Sequence, residues 1–135
     1  MTIRSILATL ETIAPPVLQE SYDNAGLLTG DAAATCTGVL VCLDVTEAVV
    51  EEAKARQCNL VIAHHPVIFK SLKSITGKNY VERTVLAAIR NNFALYAIHT
   101  NLDNVLQGVN GRIARQLGLS AIRPLQPLQG ALRKL

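Results

Sequence analysis

Three short apolar runs, at residues 38–43, 59–63 and 93–98, constrain the fold of this chain more than any other feature of its sequence. Each run has the length and the content of Val, Ile, Leu and Ala that are typical of a strand buried on both faces. Helical patterns follow the first two runs, at about residues 44–56 and 79–91. This alternation of strands and helices predicts an α/β fold, with a mostly parallel sheet flanked by helices.

Two further helices are predicted near the ends of the chain. Apolar residues at helical spacing over residues 3–13 predict an amphipathic helix, which stops at the proline pair 15–16 because proline cannot continue it. A second helix is predicted over roughly residues 109–117 and closes at Gly118, since glycine readily takes the backbone conformation that ends a helix. Between the first helix and the first strand, residues 21–26 are rich in turn formers.

The length of 135 residues is that of a single domain. We expect one α/β domain over residues 1–125, followed by a tail or junction over residues 126–135. Beyond Gly118 the sequence has no periodicity apart from one short strand-like stretch. Half of all residues are hydrophobic, which suits a buried parallel sheet and leaves apolar surface for a partner.

Composition and charge exclude several classes of protein. No apolar run approaches the roughly 20 residues needed to cross a bilayer, and the N-terminus lacks the features of a signal peptide. Cys36, Cys42 and Cys58 are odd in number and form no CxxC pair, which favours a reduced cytoplasmic chain over a disulfide scaffold. The net charge of +3 is modest and the basic residues are scattered, so nucleic acid is disfavoured as a partner.

Metal-binding side chains follow two of the predicted strands, at the point where each strand ends. His64 and His65 come directly after the second strand, and His99 and Asp103 follow the third. In open α/β sheets, ligands bind outside the carboxyl ends of the strands. The sequence therefore predicts a metal site at one edge of the sheet, with His64, His65 and Asp103 as the expected ligands.

The adjacency of the two histidines favours two metal ions over one. Neighbouring side chains in extended backbone point to opposite sides, so His64 and His65 do not easily chelate the same ion. Pro66 restricts His65 to extended backbone and is expected to fix that divergence. A carboxylate such as Asp103 has two oxygens and can bridge two ions.

Neighbouring residues have alternative roles. His99 is either a ligand itself or a residue that orients Asp103. Asp44 or Thr46, after the first strand, can cap the following helix, and Asp44 is expected to be such a cap rather than a metal ligand. The loop that carries Lys70 and Lys73 is normally solvated, although it would also suit an anionic substrate.

Four blocks of the sequence, together with a glycine turn, resemble the NGG-interacting-factor-three-like family, whose members are also described as GTP cyclohydrolase type 2 homologues. The blocks stand in the order of the family and cover most of residues 21–111: SYDNAGL (21–27), CLDVT (42–46), VIAHHPVIF (61–69) and HTNLD (99–103), followed by GVN (108–110).

The resemblance implies a dinuclear divalent-metal site and an α/β fold of which this chain is the N-terminal part. It also implies a toroidal homohexamer whose sites face an inner cavity. Carried over by position, His64 and His65 match two ligands of the family, Asp103 matches its aspartate ligand, and His99 matches a histidine beside the metals. Tyr22 stands where the family usually has Trp.

The chain departs from the family in length. Family members complete the site with a His and a Glu well beyond residue 135, whereas this chain has no histidine after His99 and no glutamate after Glu82. Its last residues resemble the junction before the family's second half. We therefore expect a fragment or truncated product that binds metal more weakly than its longer relatives.

Two functions from different classes fit these expectations. The first is a metal-dependent hydrolase of a nucleotide or other phosphorylated small molecule, similar to GTP cyclohydrolase type 2, with water activated by two divalent metal ions as the nucleophile. Zinc, iron, manganese and nickel all suit imidazole and carboxylate ligands. The alternative is a non-enzymatic metal-binding assembly or adaptor whose apolar surface binds partners.

Overall fold

The computed structural model describes residues 1–125 and contains one central sheet of four short strands. The strands lie in the order β1-β4-β3-β2. The two inner pairings, β2 with β3 and β3 with β4, are parallel, and β1 is antiparallel to β4. In chain order the strands are β1 (Gly26–Thr29), β2 (Val39–Cys42), β3 (Leu60–Ala63) and β4 (Ala94–Ala97).

Five α-helices and one 3₁₀ turn, at Pro16–Leu18, connect and cover these strands in the described part of the chain. Polar side chains cap the N-terminal ends of the first three helices. The side-chain oxygens of Thr2, Thr46 and Asn79 accept hydrogen bonds from backbone N–H groups of the first turn, which have no partner within the helix. The helices are α1 (Ile3–Ile13), α2 (Glu47–Ala55), α3 (Tyr80–Arg90), α4 (Thr100–Asp103) and α5 (Val109–Gln116).

The core has two layers because successive strand residues face opposite sides of the sheet. On β3, Val61 and Ala63 pack with α2 and α3, whereas Leu60 and Ile62 pack with α1. All four residues of β3 and all four of β4 are buried. The predicted α/β class, with a mostly parallel sheet and flanking helices, is confirmed.

The first strand was not predicted, because residues 21–26 had the composition of a turn. In the structure the turn leads directly into β1, which pairs with β4. A close approach follows: Gly30 has a positive φ of 91°, and a Cβ there would lie 2.6 Å from the Cα of Ala94. Glycine is required at this position because any side chain would collide with β4.

The C-terminal part contains less structure than the sequence suggested. Residues 119–125 form no strand, and the predicted tail at residues 126–135 lies outside the described residues. Among the helices of residues 1–125, none is both long and apolar enough to cross a membrane.

Candidate metal centre

The candidate site lies at the carboxyl ends of β3 and β4. These strands are parallel neighbours that end level with each other, with Ala63 opposite Ala97. The loops that follow them therefore leave the sheet at the same edge. His64 and His65 follow β3 at once, and His99 begins the turn into α4 after β4.

Three imidazoles meet at this edge. One nitrogen from each of His64, His65 and His99 lies within 4.8 Å of the others. The ring centroids of His64 and His65 are 4.9 Å apart, and that of His99 lies 5.2 Å from the first and 5.6 Å from the second. The structure thus brings together all three histidines of the chain.

The rings of His64 and His65 are each held through Nδ1. Nδ1 of His64 lies 3.0 Å from the carbonyl oxygen of Ile98, and Nδ1 of His65 lies 2.8 Å from Oδ1 of Asp44. An acceptor at Nδ1 fixes the orientation of the ring and keeps the proton on Nδ1. The lone pair then lies on Nε2, and imidazole binds metal in this neutral form. Both Nε2 atoms are therefore free for a ligand.

His99 is held in the same way by the carboxylate of Asp23. Its Nδ1 lies 2.7 Å from Oδ1 of Asp23, whose side chain is fully buried. Oδ2 of Asp23 accepts from the backbone N–H and the hydroxyl of Thr100, and Oδ1 also accepts from the N–H of Asn24. Burial acts to raise the pKa of Asp23, but these hydrogen bonds outweigh it and hold the pKa below the ordinary value.

Asp103 lies beside His64, at the last residue of α4. Its Oδ1 is 3.8 Å from Nε2 of His64, which is too long for a hydrogen bond. The group of three imidazoles that lie within 4.8 Å of one another does not include Asp103, which lies beside it. Imidazole and carboxylate together suit a divalent transition metal.

The structure bears on three sequence-based expectations about individual residues. Of the two cap candidates for α2, Thr46 caps the helix, whereas Asp44 holds His65. The ring of His99 bonds Asp23 and belongs to the group of three imidazoles, and its role as a ligand or as a residue that orients Asp103 stays a prediction. The rings of His64 and His65 do not diverge, because the Nδ1 partners described above set the direction of each ring.

Sequence reasoning also missed Asp23 as a residue of the site. It stands in the SYDNAGL block, which was interpreted chemically as a turn. The turn places Asp23 against the N-terminal end of α4, and its oxygens satisfy the N–H of Thr100 there. Only the resemblance of the whole block to a family could have drawn attention to it.

Comparison with known proteins gives a consistent result across sequence and structure. The model of the family Duf34/NIF3 (NGG1p interacting factor 3) matches residues 1–134. The chain belongs to the Duf34/NIF3 family. This membership, and with it the resemblance drawn from the four sequence blocks, is confirmed.

Among Duf34/NIF3 relatives, the chain is 38% identical over 120 residues to a GTP cyclohydrolase 1 type 2 homolog of Clostridium perfringens, covering 89% of this chain and 46% of the relative. It is also 38% identical over 128 residues to NIF3-like protein 1 of Rattus norvegicus, covering 94% of this chain and 34% of the relative. The chain therefore spans a third to a half of the length of these relatives.

Two solved structures resemble the fold closely. A Bacillus cereus protein related to NIF3 has a TM-score of 0.87 and 38% identity, covering 95% of this chain and 35% of that protein. Reduced HcgD from Methanocaldococcus jannaschii has a TM-score of 0.85 and 28% identity, covering 93% of this chain and 50% of that protein.

Proposed function

We propose that this chain holds divalent metal ions with His64, His65 and Asp103 and that it takes part in metal-dependent hydrolysis. His99 supplies a third imidazole to the same space. The observation that carries the proposal is that these three imidazoles lie within 4.8 Å of one another at the nitrogen atoms, each with Nδ1 already engaged. An imidazole that is held through Nδ1 keeps its second nitrogen available to bind metal.

The proposal of two ions rather than one, with Asp103 as the carboxylate ligand, rests on the family resemblance. The three imidazoles by themselves form a group suited to one ion.

The side chains of the site would prepare it for hydrolysis in distinct ways. Divalent ions, when bound, lower the pKa of water and stabilise the charge that develops on an attacked group. Asp44 and the carbonyl of Ile98 keep the rings of His65 and His64 in a binding orientation. Asp23 does the same for His99 and shields its Nδ1 from water.

A nucleotide or another phosphorylated small molecule is the proposed substrate. The support is the family, in which relatives 36% and 38% identical to this chain carry the name GTP cyclohydrolase 1 type 2 homolog. We further propose a cytoplasmic homo-oligomer, a hexamer in the full-length family, on the strength of the same resemblance.

Elemental analysis and light scattering on one purified sample test the metal and assembly proposals together. We expect close to two transition-metal ions per complete site, in a particle larger than a monomer. Hydrolysis of GTP by that sample, lost on chelation and regained with added metal, would support the enzyme. A folded chain that retains no metal after incubation with zinc and manganese would contradict the proposal.

A non-enzymatic metal-binding assembly or adaptor is the second candidate, and the edge of the sheet favours it. Val39, Val41 and Leu43 on and after the edge strand β2 are exposed, Val41 to 73%. Within the described part of the chain no strand pairs with the outer edge of β2, and exposed apolar side chains on such an edge are typical of a surface that binds another chain. Ions whose coordination is saturated by protein ligands, with no site for water, would favour this function over hydrolysis.

A further inference from the structure

A cavity of about 350 Å³ adjoins the histidine cluster, and the ring of His65 forms part of its wall. It lies between the loops after β2 and β3 and the start of α3. A hydrolase must hold the part of its substrate that does not react, and a cavity that shares a wall with a candidate metal ligand is placed to do so.

The deeper wall of this cavity is apolar and well fixed. Val45 is 5% exposed and Val67 is 9% exposed, and both belong to the hydrophobic core between the sheet and α2 and α3. Pro66 adds a rigid face between His65 and Val67. Such a wall favours a flat or apolar group over a strongly hydrated one.

The outer wall carries an aromatic ring that the fold does not need. Tyr80 is the first residue of α3, lines the cavity, and is 60% exposed. It belongs to neither core cluster. An exposed aromatic face beside an apolar wall is suited to stacking on a planar ring.

Charge decides which part of a substrate this cavity can take. Among residues 1–125, the lining contains the carboxylate of Asp44 and no lysine or arginine. A phosphate group would be repelled by that carboxylate and drawn instead towards the metal ions proposed at the histidine cluster. Oδ1 of Asp44 accepts a hydrogen bond from His65, and its second oxygen remains available to accept one from an N–H group of a ligand.

We propose that this cavity binds the uncharged planar ring of the substrate, a heterocycle that bears N–H groups on its edge, and leaves the phosphorylated part outside it. Tyr80 stacks on one face of the ring, and Val45 and Val67 contact the other face. Asp44 accepts a hydrogen bond from an N–H group on the edge of the ring. The proposal rests on the proposed function only in treating this ring as part of the substrate.

Titration of the ¹⁵N-labelled 135-residue chain with guanosine and, separately, with inorganic pyrophosphate tests the proposal. Guanosine carries N–H groups on its ring edge and no phosphate, so we expect it to shift the amide signals of Val45, Thr46 and Val67. Pyrophosphate is expected to leave those signals in place. Absence of guanosine binding to the folded chain, or stronger shifts of these signals with pyrophosphate, would overturn the proposal.

Substitutions of Tyr80 then separate stacking from other effects. Tyr80→Ala is expected to raise the guanosine Kd by about tenfold, the usual effect of removing one stacking partner. Tyr80→Phe keeps the ring and should keep the affinity. Ile89→Ala is the matched control, because it removes an exposed apolar side chain about 13 Å further along the same helix. Equal guanosine affinity in Tyr80→Ala and the parent chain would remove Tyr80 from the site.

Zinc stoichiometry, measured on the same proteins, distinguishes this proposal from the metal proposal. Tyr80 is not a ligand, so Tyr80→Ala should bind as much zinc as the parent chain. Guanosine binding without any zinc binding would retain the cavity and reject the metal site. Zinc binding without guanosine binding would reject the cavity alone.

Discussion

Asp23 and His99 lie 76 positions apart in the chain, yet Nδ1 of His99 donates a hydrogen bond to Oδ1 of Asp23 at 2.7 Å. Asp23 also accepts hydrogen bonds from the backbone N–H and the hydroxyl of Thr100. One buried carboxylate thus joins the turn before β1 to the loop after β4 and sets the orientation of His99. The stability of this corner and the geometry of the candidate site therefore depend on the same side chain.

Asp23→Asn is expected to destabilise the fold and to weaken metal binding together. The amide cannot accept all of the hydrogen bonds that the carboxylate accepts, and an unsatisfied buried polar group costs about 1–3 kcal/mol. Urea unfolding at neutral pH measures the loss of stability. Asp31→Asn is the control, because Asp31 is exposed and, among residues 1–125, its side chain accepts a hydrogen bond only from the N–H of Ala33 in its own turn. Equal losses in the two variants would contradict a special role for Asp23.

His65→Ala is expected to lower the amount of bound metal with little change in stability. The ring is about half exposed and lies beyond the end of β3, so its removal leaves the core intact. Metal content per chain measures the first effect and thermal unfolding the second. Unchanged metal content in the folded variant would show that His65 is not a ligand.

Much of this architecture could be predicted from the sequence, because local patterns determined it. The apolar runs that became β2, β3 and β4 carry their own signal in length and composition, and the caps of α2 and α3 do so in side-chain chemistry. The expected burial of the first run on both faces was wrong, because β2 is an edge strand with Val39 and Val41 exposed. The order of these strands places the three histidines at one edge, as the carboxyl-end rule indicated.

The remaining features depend on contacts between distant residues. The four residues of β1 form a strand only because β4 offers them an open edge, and no periodicity marks them. Asp44 was expected to cap a helix because that role is local, whereas its partner His65 is 21 positions away. Asp23 was missed for the same reason, since its importance comes from His99 and Thr100.

Asp44→Ala tests whether a residue that is not itself a predicted ligand affects metal affinity by orienting the ligand His65. Loss of the acceptor at Nδ1 frees the ring of His65 to rotate, and such losses typically lower metal affinity by about 10–100-fold. Competition with a chelator measures the affinity. Glu51→Ala on the exposed face of α2 is the control, and it should bind metal as the parent chain does. Asp44 would have no orienting role if both variants bound metal equally.

Glu82 provides a test of pH dependence away from the metal site. Its carboxylate accepts from the N–H groups of Thr76 and Lys78 and from the side chains of Thr76 and Asn79. The backbone N–H groups of Thr76 and Lys78 are the main cause that holds the pKa of Glu82 below its ordinary value, against the opposing effect of burial. This one side chain therefore ties the loop before α3 to the helix.

The sign of the effect follows from the lowered pKa of Glu82. A group with a depressed pKa in the folded state stabilises the fold above its unfolded pKa of about 4.3, and this contribution is lost as the pH falls through the folded pKa. Glu82→Gln should therefore be less stable than the parent chain at pH 7, and the difference should shrink towards pH 3. Urea unfolding at both pH values measures it, with Glu51→Gln as the control. A difference in the free energy of unfolding that stayed constant from pH 7 to pH 3 would show that the charge of Glu82 contributes nothing to this loop.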